Sequence, residues 1–278
     1  MSMRAAMLLP LLVSAALCLI GARLGRWLPP ATAVRLLSLA AVVTALSTGL
    51  VLSIAAFLVL ARAPAIATLG HWSTATVSLD DPIPPSAGLL AGATVLVLVF
   101  AALRRFALAG QDLASAAAAC RRLGPGTKGL VIVDETEPDA YAVPGLTGRV
   151  VVSTAMLRAL PADERRVLLA HEAAHLRHHH HLYIQLVELG AAANPLLRPL
   201  ALAVRNAAER WADEDAAETV GDRSLAARAL ARAGLARAHA SPGGRLSPLA
   251  TMPAVDRRRG AGHLVQAPEL AVAATRCR

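Results

Sequence analysis

Aromatic side chains are scarce in this sequence, with Phe, Trp and Tyr at 3% of 278 residues. There is no aromatic pair of the kind that stacks on RNA bases, no zinc-finger spacing and no basic helix-turn-helix. The formal charge of +9 therefore does not read as a nucleic-acid footprint, and direct nucleic-acid binding is not expected. Cysteine is almost lacking too: Cys18, Cys120 and Cys277 offer neither metal-ligand spacing nor a disulfide framework. Charged residues make up only 17%, against about a quarter in an ordinary soluble domain. In their place the chain is 55% hydrophobic, much of it Ala and Leu, which form helix readily.

The apolar excess is concentrated near the N-terminus. Residues 5–22, 36–61 and 82–103 carry no charge. About 20 helical residues cross a hydrocarbon core of roughly 30 Å, so three transmembrane helices are expected. A signal peptide is the rival reading of the first segment. Its leading region holds only Arg4 and two more spans follow, which favours a retained helix. The absence of ionisable residues within the segments argues against a transporter or channel.

Arginines give the expected orientation. Arg23, Arg26 and Arg35 follow the first segment, and Arg62 is balanced by Asp80 and Asp81 after the second. Arg104, Arg105, Arg121, Arg122 and Lys128 follow the third. The positive-inside rule places the N-terminus outside and everything after the third span in the cytoplasm.

Past the spans the pattern changes. A helix leaving the membrane is expected to Gly124, then strands at Leu130–Val133, Ala140–Val143 and Arg149–Val152. Ser153-Thr154 can cap a short helix through Leu160, and Pro161-Ala162-Asp163-Glu164 opens another running towards Leu182. Within that helix stands His171-Glu172-Ala173-Ala174-His175. Histidines four apart project from one helix face and can hold one zinc ion, while Glu172 can take a proton from the attacking water.

Two ligands hold zinc weakly, so a third is expected downstream. Glu209 and Asp213 are four apart on an expected helix containing Trp211, Ala212, Ala216 and Ala217. One can ligate zinc while the other accepts the free imidazole N–H of a ligand histidine. An ordinary solvated acidic face describes Glu214, Asp215 and Glu218 better than it describes this pair.

With these residues in view, the chain resembles the M56 family of membrane zinc metallopeptidases, which includes the sensor-transducers of β-lactam resistance. It also looks like the related M48 membrane proteases. Three stretches carry the resemblance: Val152-Ser153-Thr154, Leu168-Leu169-Ala170-His171-Glu172-Ala173-Ala174-His175-Leu176-Arg177, and Glu209-Arg210-Trp211-Ala212-Asp213. It implies zinc ligation by His171, His175 and Glu209, support of a ligand by Asp213, and Glu172 as general base. It further implies a gluzincin-like α+β peptidase domain with a small sheet. The chain departs from the family pattern at His180, where relatives often carry an aspartate. No antibiotic-sensing domain is expected after the peptidase.

The sequence thus reads as a mainly α membrane protein in three parts: a membrane domain over 1–103, a cytoplasmic zinc peptidase over 104–240 and a weakly structured basic tail over 241–278. Residues 184–204 are apolar but interrupted by Glu188, Asn194-Pro195 and Arg198, so two bent helices against the catalytic helix or the membrane surface are expected there. His178–His181 offers alternative metal contacts but reads mostly as a solvated helix end, and Arg205 is a weak candidate for stabilising an oxyanion. The expected function is a membrane-anchored zinc-dependent endopeptidase acting at the cytoplasmic face. Its substrate, a protein or peptide, is expected to lie extended near Ala140–Val143; the resemblance points to a transcriptional repressor and regulatory signalling. The competing reading is a non-catalytic scaffold with a residual peptidase fold.

Overall fold

The computed structural model describes residues 3–74, 84–123, 126–127, 129–145 and 148–240. The expected tail over 241–278, Asp80, Asp81 and Lys128 lie outside the described residues. The chain divides into two compact units: residues up to Ala107 with Gln185–Val204, and Leu108–Ile184 with the chain from Arg205 onward.

The three apolar segments are helices: α1 (Met3–Trp27), α2 (Pro30–Leu60) and α4 (Pro85–Leu123), with the short α3 (Pro64–Gly70) after α2. Proline starts α2, α3 and α4, where a missing N–H costs nothing. α1, α2 and α4 are each long and apolar enough to cross a membrane, making this a multi-pass membrane protein. Their exposed faces carry large apolar side chains such as Leu12, Leu46, Leu96 and Phe100, as lipid contact requires. α4 runs for 39 residues, about 60 Å at helical rise, so the third span and the helix expected after it are one continuous element.

The second unit is built on a small mixed sheet: β1 (Leu130–Val133), β2 (Ala140–Val143) and β3 (Arg149–Ser153), in the order β1-β3-β2. β1 runs parallel and β2 antiparallel to β3. Side chains alternate between two covered faces. Leu130, Ile132, Ala140, Val150 and Val152 pack with Met156, Leu160 and Leu168, while Val131, Val133, Val143 and Val151 pack on Ala116 and Ala119 of α4. Ser153 caps α5 (Thr154–Ala159) by accepting from the Met156 N–H.

The next helix, α6 (Ala162–Arg177), stops short of the expected Leu182. His179 adopts a left-handed backbone with φ of 51°, and α7 (His180–Ala193) starts afresh after it. A 3-10 turn (Pro195–Leu197) leads into α8 (Arg198–Val220), and Gly221, at φ of 76°, turns the chain into α9 (Arg223–Ala240). Val167 and Ala170 of α6, Ala216 and Ala217 of α8, and Ala226 and Ala229 of α9 form one core of mostly small side chains. Arg232 of α9 pairs with the buried Glu164 of α6 at 2.7 Å.

Residues 185–204 bend at Asn194-Pro195 as expected. They pack against α1 and α2. Asn194 Nδ2 donates to Ser14 Oγ at 2.8 Å and Thr48 Oγ1 at 3.3 Å, and all three residues are buried. Gly190 abuts Ala41 and Gly25 abuts Ala203, the close backbone approach typical of membrane helices. Glu188 accepts from Arg105 Nε at 3.0 Å.

Candidate metal centre

α6 is held between the sheet and α9, and its buried face carries both histidines and Glu172. One turn of helix separates His171 from His175, and the two Nε2 atoms face each other at 3.2 Å. α8 supplies Glu209, whose Oε2 lies 3.7 Å from His171 Nε2 and whose Oε1 lies 3.8 Å from His175 Nε2. One donor atom from each of the three residues lies within 4.8 Å of the others. A tetrahedral ion with bonds of roughly 2.0–2.1 Å spaces its ligand atoms about 3.3 Å apart. The cluster is therefore close to the right size for a divalent ion of the zinc type. Glu209 Oε1 is buried and has no hydrogen-bond partner among the described residues, as suits an atom directed at a cation.

The second nitrogens of the histidines have different neighbours. His171 Nδ1 lies 3.0 Å from Asp213 Oδ1 on α8. His175 Nδ1 lies 2.9 Å from Nδ1 of His180, a residue 1% exposed. The expectation of a solvated run at His178–His181 thus fails at His180. The break at His179 turns α7 so that His180 faces inward, against the edge of His175 and the ring of Trp211. His178 stacks on Trp211 with ring centres 4.3 Å apart.

This arrangement polarises the histidines. Burial opposes charge on His171, but Asp213, Glu209 and Glu172 outweigh it and raise its pKa to about 10. Burial and the neighbouring histidines push His175 far below the usual imidazole value, and lower His180 to about 3. Burial raises the Glu172 carboxyl, opposed by His171 and Arg237.

Arg237 had no role in the sequence reading. It reaches from α9 to within 3.6 Å of Glu172 Oε1 and 3.1 Å of Asp139 Oδ1, and it donates to the Ala140 carbonyl. Its position 65 residues after Glu172, in an alanine–arginine helix, gave no signal of this contact.

The peptidase family M48 model matches residues 108–197. This overturns the M56 assignment: of the two families the chain resembles, the match falls to M48. It spans the sheet, α6 and its histidines but ends before Glu209, which joins the cluster through the fold. No curated protein and no solved structure gave a match. The M48 peptidase region and the His171–His175–Glu209 cluster together make this chain a zinc-type metallopeptidase.

Proposed function

We propose that this chain is a membrane-anchored zinc endopeptidase in which His171, His175 and Glu209 hold one zinc ion. The observation carrying this reading is the convergence of three donor atoms from α6 and α8, beside a buried carboxylate. Zinc bound there would supply Lewis acidity for peptide hydrolysis. Glu172 is placed to take a proton from the attacking water and to return it to the leaving amine. Its burial-raised pKa suits both transfers, because it narrows the gap between carboxylate and the groups it exchanges with. Asp213 orients His171, and His180 orients His175 by accepting its Nδ1 proton.

The peptidase region falls within 104–240, and the arginine distribution supports a cytoplasmic location for it. β2 lies at one edge of the sheet, where an extended peptide can add as a further strand. The substrate class is protein or peptide. A transcriptional repressor was an expectation of the M56 likeness and loses that support.

The test is metal content and proteolysis of the purified full chain. Wild type should carry about one zinc and cut casein. His171→Ala and His175→Ala should lose the metal, and Glu172→Gln should keep it without turnover. Full zinc retention by His171→Ala would rule out the site. Zinc binding without turnover in wild type would favour the scaffold.

A further inference from the structure

β2 is an edge strand, and its outward-facing backbone is already occupied at Ala140. In the antiparallel register Ser153 N–H donates to the Asp139 carbonyl at 2.9 Å, so Asp139 faces β3. Backbone direction alternates along a strand, so the N–H and C=O of Ala140 point away from the sheet. Both are capped by side chains. The Ala140 N–H donates to Asp139 Oδ1 at 2.9 Å, and the Ala140 carbonyl accepts from Arg237 Nη2. Asp139 and Arg237 also pair with each other at 3.1 Å. One acceptor and one donor, joined together, thus take the places that a residue of an added strand would fill.

The same guanidinium lies 3.6 Å from Glu172, the residue read as the general base. We propose that Asp139 and Arg237 form a clasp imitating a substrate strand on β2, and that an extended peptide binds by displacing Arg237 from the Ala140 carbonyl. Displacement also takes the cation away from Glu172, so strand pairing and release of the base are one event. Arg237 is a positioning residue in this scheme: it sets how readily the edge opens. The ligand is any extended peptide backbone, since the groups exchanged are main-chain N–H and C=O. The clasp rests on the peptidase reading of the same cleft.

The test uses full-length protein carrying Glu172→Gln, which stops turnover while leaving the contacts to Asp139 and Ala140. Binding of a fluorescein-labelled unfolded casein peptide is followed by anisotropy. Adding Arg237→Ala should tighten binding about tenfold, the factor one charge-assisted hydrogen bond is worth. Asp139→Asn, which keeps the side-chain volume, should tighten it about threefold, as for a half-exposed ion pair. Unchanged or weaker binding in both variants overturns the clasp, as does no binding once Arg237 is removed. Zinc content and casein cleavage by the wild-type chain report on the peptidase reading separately.

Discussion

His180 meets His175 nitrogen to nitrogen, Nδ1 to Nδ1 at 2.9 Å, and the ring of His180 is shut away from solvent. Only one of these nitrogens can carry the shared proton. If His175 is to present an unprotonated Nε2 to a metal, it must donate from Nδ1, and His180 must accept. An imidazole here fills the place that a carboxylate fills beside His171.

Removing that acceptor frees the His175 ring to rotate and changes its tautomer. His180→Ala should weaken zinc affinity roughly 10- to 100-fold, read by competition with a chromophoric chelator. His180→Asp, which restores an acceptor, should recover part of the loss. Unaltered affinity in the alanine variant would leave His180 a packing residue.

The metal-free site should also release a proton on loading. His171, raised to about 10, is protonated at neutral pH, whereas His175 is already neutral. Zinc must displace the His171 proton. Affinity should then climb about tenfold per pH unit between 7 and 9 and flatten as pH passes the His171 value. Isothermal calorimetry in buffers of different ionisation enthalpy counts the proton directly, and zero protons released at pH 7 would contradict this charge state.

In the membrane unit, Asn194 bonds Ser14 and Thr48 and caps the 3-10 turn at Leu196 N–H. Asn194→Ala should lower stability in detergent by about 1–3 kcal/mol, combining modest interhelical bonds with a lost cap. Ser14→Ala and Thr48→Ala should each cost less. Thermal unfolding of the three variants measures the ranking.

Orientation is open to labelling. A single cysteine placed at His71, in a chain whose native cysteines are replaced, should react with a membrane-impermeant maleimide on intact cells. One at Arg121 should react only after lysis. The reverse pattern would overturn the arginine-based topology.

Spans, strands and the zinc motif were legible because each rests on a local pattern: charge-free length, period-two alternation, or a spacing of four along one helix. Glu209 was legible for the same reason, paired with Asp213 at helical spacing. His180 was not, because its burial depends on a left-handed backbone at His179 that breaks an otherwise helical run. Arg237 and Asp139 were hidden more deeply, since they meet only when α9 folds back over α6 and the sheet. The partners of the 185–204 hairpin were hidden by distance along the chain. Glu188 and Asn194 looked too polar for apolar surroundings until Arg105, Ser14 and Thr48 supplied their partners.

The hairpin at Asn194-Pro195 also limits how this protein can be taken apart. His180 precedes it on α7, Glu209 follows it on α8, and Gln185–Val204 between them belong to the other unit. The peptidase is therefore discontinuous in sequence, threaded through its anchor. A truncation that begins after Ala107 would keep His171, His175 and Glu209 yet leave residues 185–204 without the helices they pack on. A soluble version calls for a replacement linker in place of those residues.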